Sequence, residues 1–123
     1  MPSRRMFQVN ELLRQEISQI VLTELNDPRL RLVTITSVHT SADLHHARVY
    51  YQFHGGEADR QSAQQGLQHA GGRIRHLLGK RVRIKYLPEL AFEYDDRLDY
   101  AQRINEKLKS LKAQQDSPER EKD

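Results

Sequence analysis

Near its centre the chain reads HAGGRIRHLLGKRVRIKY, residues 69–86, and the elements before and after can be placed relative to this run. Gly71-Gly72 interrupts a helical pattern of apolar residues, which resumes at residues 74–78. Because each interior glycine costs a helix about 1 kcal/mol relative to alanine, we predict two helices joined by a kink. Over residues 81–86 apolar and basic residues alternate, which predicts a third strand with a basic outer face that Pro88 either breaks or confines to an edge of the sheet.

The segment before this run carries a helix pattern and two strand patterns. Apolar residues at three- and four-residue spacings predict a first helix over residues 7–25, and Pro28 disfavours its continuation. A β-branched run at 32–38 and a strict alternation at 47–53 predict two strands joined by a short polar turn. Two strands so close in sequence are expected to pair as an antiparallel hairpin.

The remaining elements complete an α+β fold. Apolar alternation continues over residues 90–94, and Asp99 is predicted to cap a short last helix. A helical connection between the second and third strands favours parallel pairing of these strands through a right-handed crossover. The predicted order is therefore α-β-β-α(kink)α-β-α, with a small mixed three-stranded sheet covered by helices on one face.

Length and composition exclude several classes of protein. A chain of 123 residues and 14.4 kDa is expected to form one domain, which we place at residues 1–111. Residues 112–123 contain a single alanine as their only apolar residue, so we predict a disordered charged tail. The absence of cysteine excludes disulfide scaffolds and thiolate chemistry, and no apolar run is long enough to span a membrane. We therefore expect a cytoplasmic protein without membrane association.

The positive charge is unevenly distributed. The chain has 20 basic and 17 acidic residues, a formal net charge of +3. Residues 69–86 hold six of the basic residues and no acidic one, so the rest of the chain is net negative. Such a window is typical of a surface that binds phosphate. A helix beginning at Gly72 would also point free amide groups at a phosphate, although a simple helix corner with solvated arginines explains the same residues.

The element order and several separated motifs resemble a known family. The order is that of the type II KH domain, whose RNA-binding members carry a GXXG loop between the paired helices. This chain has Ala70-Gly71-Gly72 there, and such an Ala-X-Gly kink is similar to that of the bacterial ribosome-binding factor A family. Together the motifs extend the resemblance over residues 3–111. They are VNELLRQEI at 9–17, Asp27-Pro28-Arg29, VTIT at 33–36 and LPELAFEYD at 87–95.

The resemblance implies a ribosome biogenesis factor that binds the immature small (30S) ribosomal subunit. Members of the family assist late maturation and 5′-end processing of 16S rRNA without catalysis, matter most in the cold, and leave before translation. Assembly GTPases acting on the same subunit are implied as further partners, and we expect a monomer without cofactors. The chain departs from the family pattern at Arg97 and Ala101, where a serine and a glycine are common.

The expected RNA-binding residues follow from the basic window and the resemblance together. The three residues of the Ala-X-Gly kink are predicted to allow close backbone approach, and neighbouring cations to contact phosphate. Two arginines at the N-terminus are predicted to add a contact. The full set is Ala70, Gly71, Gly72, Arg73, Arg75, Lys80, Arg81, Arg83, Lys85, Arg4 and Arg5.

Two other functions remain open from the residues themselves. One is a KH-like protein that binds another structured RNA, and the other is a metal-dependent nuclease using Asp95, Asp96 and Asp99. A turn followed by a helix cap explains these aspartates more simply, so we predict no catalytic and no metal-binding residues. The six histidines are interpreted as surface residues. Tyr50, on the outer face of the second strand, is a candidate for stacking on a base.

Overall fold

The computed structural model describes residues 3–122, with side chains described for residues 3–113. Residues 1, 2 and 123, which the predicted domain and tail include, lie outside the described part. A short 3-10 helix, Pro28–Leu30, follows the first α-helix. The elements in chain order are α1 (Arg4–Thr23), β1 (Val33–Thr40), β2 (His46–Phe53), α2 (Glu57–Arg81), β3 (Glu89–Tyr94) and α3 (Arg97–Lys122).

Helix α1 is the predicted first helix with an earlier start. The Ser3 hydroxyl accepts a hydrogen bond of 3.1 Å from the Met6 amide and thereby caps the helix, so α1 begins at Arg4 rather than at residue 7. Its buried side chains all belong to the predicted apolar stripe. They are Leu13, Ile17, Ile20 and Val21.

The sheet has the predicted mixed topology. Strands β1 and β2 are antiparallel, β2 and β3 are parallel, and the spatial order is β1-β2-β3. An irregularity in register lies between Ile35 and Ser37, so Thr36 is an extra residue in β1. This bulge changes which side chains face the core, because Ile35 and Val38 are buried although they are three residues apart.

The prediction of a third strand at residues 81–86 is wrong. Helix α2 continues through Arg81, and the Val82 amide still donates to the Leu78 carbonyl at 3.1 Å. The strand that pairs with β2 is residues 89–94, with Val49 opposite Phe92. Since β2 can accept only one partner along that edge, residues 82–88 serve as an irregular connection and their alternation does not indicate a strand.

The predicted division of α2 into two helices is also wrong. The helix runs through Gly71 and Gly72 without interruption, and neither residue has a positive φ. A Cβ at Gly71 would lie 3.9 Å from Phe92 Cε2, an ordinary contact, and one at Gly72 would meet nothing within 4 Å. Burial of Ile74 on the helix face stabilises the turn that follows the glycines, so their low helix propensity is outweighed by packing.

The core lies between the sheet and two helices. Side chains from α1 and α2 pack against the inner face of the sheet, which confirms the predicted α+β arrangement with helices on one face. The outer face of the sheet is not covered by α1 or α2. The largest fully buried side chains are Tyr51, Leu13, Ile17, Ile20, Leu67, Ile74, Leu78, Val49 and Pro88.

Helix α3 differs from the predicted short helix in its start and its length. It begins at Arg97, whose amide donates to Asp95 Oδ1 at 3.1 Å, so Asp95 and not the predicted Asp99 satisfies the first turn. All its side chains described through residue 113 are exposed. The helix extends into residues 112–122, where the sequence predicted a disordered tail. Because no described side chain of α3 is buried, tertiary packing does not support this extension, and disorder of the tail stays a prediction.

None of the helices in the described part of the chain is both long enough and apolar enough to cross a membrane.

Candidate nucleic-acid interface

Arg75, one of the predicted phosphate ligands, holds the irregular connection in place. Its Nε donates to the Pro88 carbonyl at 3.0 Å and its Nη2 to the Leu87 carbonyl at 2.8 Å. Glu89 lies at 4.0 Å from the same guanidinium. Nε and Nη2 of Arg75 are therefore engaged with the backbone that precedes β3, and these bonds position Leu87 and Pro88.

Arg81 is likewise engaged inside the protein. Its guanidinium lies between two carboxylates of the α1 region, 3.4 Å from Glu16 and 3.0 Å from Glu24. The three side chains are 28 to 41% exposed, so the ion pairs are partly screened by water. The pairs tie the end of α2 to α1, and Arg81 is thereby less available to RNA than the sequence indicated.

Two exposed cations of α2 that make no ion pair among the described side chains lie on one face of the helix. Arg73 and Lys80 are seven residues apart, and His69 and His76 occupy positions at spacings of three and four from them. All four residues are exposed, and among the described side chains neither cation has a carboxylate within 4.0 Å. We call these four residues the α2 strip.

The Ala-X-Gly sequence is only partly exposed. Ala70 packs partly against the core and Gly71 faces Phe92, so only Gly72 is exposed beside the α2 strip. Because α2 is continuous here, no helix begins at Gly72 and its amide group is inside the helix. The expectation that free amides at this point bind phosphate is wrong.

A second basic surface brings the start of α1 next to the connection between α2 and β3. Arg5 of α1 lines one groove together with Arg83 and Lys85 of the connection, and the groove encloses about 630 Å³. The β1–β2 turn forms another wall through Ala42 and Leu44. We call this surface the basic groove. Arg4 is exposed on the same first turn of α1 but does not line it.

Two aromatic residues beside the basic groove were missed by the sequence reasoning. The rings of His45 and Tyr86 have centroids 4.7 Å apart with planes tilted by 33°. The sequence placed Tyr86 on the apolar side of a strand and His45 among surface histidines. Their wide separation in sequence hid the pair, since no local pattern links the turn after β1 to the connection before β3.

The outer face of the sheet carries a wider groove of mixed charge. It encloses about 840 Å³ and includes Arg48, Glu89 and Glu93 from the strands. Tyr50 lies there, half-buried, with its ring edge-on to His39 at 5.4 Å between centroids. Charges of both signs make this face less suited to a polyanion than the basic groove.

Asp95 is held in a hydrogen-bonded network at the end of β3. Its carboxylate accepts from Arg97 Nε and Nη2 at 2.9 and 2.8 Å and from the Thr36 hydroxyl at 2.8 Å. The Arg97 side chain, followed by its backbone amide and Thr36, holds the pKa of Asp95 well below its usual range, against the opposing effect of burial. Within the described residues no group of three histidine, aspartate or glutamate side chains is arranged to hold a metal ion. The position of Asp95 at the start of α3 is thus explained by its hydrogen bonds with Arg97 and Thr36.

The fold and these surfaces define a class of protein. It is a KH-like α+β domain with its helices on one face of a mixed sheet, and with basic residues gathered on the α2 strip and around the basic groove.

Comparison with known proteins identifies the family within that class. The sequence profile described as "Ribosome-binding factor A" matches residues 5–108. A ribosome-binding factor A of Halothermothrix orenii is 43% identical over 121 residues, covering 98% of this chain and 99% of the relative. One from Caldanaerobacter subterraneus subsp. tengcongensis is 38% identical over 112 residues, covering 90% and 92%. The chain belongs to the ribosome-binding factor A family, as the sequence motifs indicated.

Solved structures agree with this assignment. The crystal structure of ribosome-binding factor A from Thermus thermophilus is similar with a TM-score of 0.66 at 29% identity, covering 72% of this chain and 94% of that one. A homology model of the Thermus thermophilus factor, fitted into the cryo-EM map of a complex with the 30S subunit, is similar with a TM-score of 0.59 at 30% identity. It covers 70% of this chain and 90% of that one.

Proposed function

We propose that this chain binds the immature small ribosomal subunit and assists late maturation of 16S rRNA, including processing of its 5′ end. Family membership and the subunit complex of the Thermus thermophilus relative support the partner. The observation that carries the binding surface is the convergence of Arg5, Arg83 and Lys85 on one groove. Residues from the beginning of α1 and from the connection before β3 meet there, although most of the folded chain separates them in sequence.

The basic groove and the α2 strip are proposed to contact rRNA phosphates. Arginine and lysine contacts to phosphate position a protein without reading sequence, and they release counterions, so affinity falls as salt rises. Specificity then comes from the shape of a folded rRNA junction, which presents phosphates and unpaired bases in one arrangement. Arg73 and Lys80 extend the path along α2, with Gly72 as the point of closest backbone approach, and Arg4 adds a contact at the N-terminus.

The proposed role is non-catalytic. The chain holds a junction of the precursor in a conformation that nucleases and assembly GTPases acting on the same subunit require, and it acts as a monomer. Asp95, which a nuclease would need for metal binding, is already bonded to Arg97 and Thr36. The proposal therefore assigns no bond-breaking step to this protein.

Co-sedimentation with ribosomal particles tests the proposal. Immature small subunits, mature small subunits, large subunits and free RNA are compared over a salt series. Selective retention on the immature small subunit supports the assembly-factor function, and equal retention on every RNA favours a general binder of structured RNA. The double variant Arg83→Gln/Lys85→Gln is expected to weaken binding and to reduce the slope of log affinity against log salt by about 2.

A matched pair of lysines on α3 provides the control. Lys107→Gln/Lys109→Gln removes the same two charges from exposed positions away from the basic groove, and it should leave binding unchanged. Equal losses in both double variants would mean that net charge, and not the groove, determines affinity. Arg81 is left intact because its ion pairs to Glu16 and Glu24 belong to the fold.

A further inference from the structure

We propose that His45 and Tyr86 form a stacking platform for one unpaired base of the bound RNA. This proposal rests on the proposed function and adds the chemical class of the ligand at one place: an unpaired nucleotide whose flanking phosphates lie in the basic groove.

The geometry of the pair supports stacking. The two rings are 4.7 Å apart and tilted by 33°, closer to parallel than to edge-on. Tyr86 is 40% exposed, so part of its side chain is open to solvent while its ring contacts His45. Aromatic side chains that present a face to solvent are the usual stacking partners of unpaired bases in RNA-binding proteins.

The platform is contiguous with the basic groove. Leu44 and Lys85 line the groove, and the next residue after each is a member of the aromatic pair. The Lys85 ammonium lies 5.3 Å from the centroid of the Tyr86 ring, within the range of a cation–π contact. A phosphate adjacent to a base on the platform is therefore within reach of Lys85, which is also a proposed phosphate ligand of the basic groove.

The backbone holds His45 firmly. Its amide donates to Asp43 Oδ1 at 3.0 Å, and its carbonyl accepts from the Glu89 amide at 2.8 Å. The preceding residue, Leu44, has φ of 66°, a left-handed conformation that a residue with a branched side chain rarely adopts. Such strain persists where surrounding structure enforces it, and it is frequent at binding sites.

The other half of the platform is fixed by Arg75. Its two hydrogen bonds go to the carbonyls of Leu87 and Pro88, the residues immediately after Tyr86. A cation that the sequence assigned to phosphate thus positions the segment that presents Tyr86. The backbone that carries each ring is positioned before any ligand arrives, which reduces the ordering cost of binding.

The chain contains no tryptophan, which allows a direct test of stacking. Tyr86→Trp introduces the single tryptophan of that variant at the platform, and Tyr100→Trp places one at an exposed tyrosine of α3 as the matched control. A mixed-sequence single-stranded RNA hexamer is titrated into each variant, with inorganic polyphosphate as a charged ligand without bases. We expect the hexamer to quench the tryptophan fluorescence of Tyr86→Trp. Polyphosphate should not quench this variant, and the hexamer should not quench the Tyr100→Trp control. Absent quenching, or equal quenching by polyphosphate, overturns the proposal.

Affinity measurements separate this proposal from the proposed function. Tyr86→Ala should weaken binding of the hexamer and of immature small subunits roughly five-fold or more, whereas Tyr86→Phe and Tyr100→Ala should match the unsubstituted protein. Arg83→Gln/Lys85→Gln is measured in parallel. If that double variant loses subunit binding while Tyr86→Ala does not, the platform is refuted and the subunit function stands. If the hexamer quenches Tyr86→Trp but the protein shows no preference for small subunits, the platform stands and the subunit function is refuted.

Discussion

Replacing Asp95 by asparagine is expected to destabilise the domain in a way that depends on pH. Asp95 is 5% exposed and accepts charge-assisted hydrogen bonds from Arg97 as well as one from the Thr36 hydroxyl. Hydrogen bonds to charged groups contribute about 1.5 to 3 kcal/mol each. The Arg97 side chain is 68% exposed, so water compensates part of that loss, and we expect Asp95→Asn to lower the free energy of unfolding by about 1 to 3 kcal/mol near neutral pH.

The sign of the pH dependence follows from the direction of the pKa shift. The folded protein lowers the pKa of Asp95, so the carboxylate contributes stability that is fully present above the unfolded-state pKa of about 4. That contribution is lost as pH falls toward the lower folded-state pKa. The difference in stability between the unsubstituted protein and Asp95→Asn should therefore be constant above about pH 5 and shrink in acid.

Urea unfolding followed by circular dichroism at several pH values measures this difference. Asp96→Asn is the control, since the neighbouring carboxylate accepts no side-chain hydrogen bond among the described residues. Arg97→Gln should lose part of the same stability, and the double variant should lose less than the sum of the two single variants because the residues interact directly. A pH-independent difference between Asp95→Asn and the unsubstituted protein would refute the reasoning.

Two further predictions concern α2 and the end of α3. Gly72→Ala should raise the free energy of unfolding by about 0.5 to 1 kcal/mol, because the position is helical and an added Cβ meets nothing within 4 Å; a loss of stability in urea unfolding would contradict a continuous α2. Amide hydrogens of residues 112–122 should exchange much faster than those of buried helical turns around Ile17 and Ile74, since every described side chain of α3, through residue 113, is exposed. Protection of the 112–122 amides comparable to that of α1 would contradict the predicted tail.

The elements that sequence predicted correctly are those with strong local signals. The apolar stripe of α1 ends before Pro28, β2 alternates strictly, and a helical connection between β2 and β3 favours parallel pairing. The errors arose where a local sequence pattern is compatible with two different structures. Residues 81–86 alternate as a strand would, but the edge of β2 is taken by residues 89–94. Gly71-Gly72 predicts a break only if packing does not offset the low helix propensity of glycine.

The candidate site was harder to predict because its members meet only in the folded chain. Arg83 and Lys85 were found from the basic window and Arg5 from the N-terminal pair, and the structure brings the three together in one groove. The aromatic partners His45 and Tyr86 had no sequence signal, since neither residue type is distinctive alone. A charge count identifies a basic segment but does not say which of its cations the fold itself uses.

The cations of residues 69–86 therefore fall into two groups that a charge count does not separate: some bond to other parts of the fold, and others are left on the surface. Arg75 and Arg81 bond to backbone carbonyls and to carboxylates, and these bonds fix the connection between α2 and β3. Because that connection is fixed, Arg83 and Lys85 lie beside Arg5 in one groove. Loss of RNA binding after neutralising Arg75 or Arg81 would consequently report on the position of the connection. The proposed phosphate contacts are therefore tested by substituting the cations that line the groove or belong to the α2 strip.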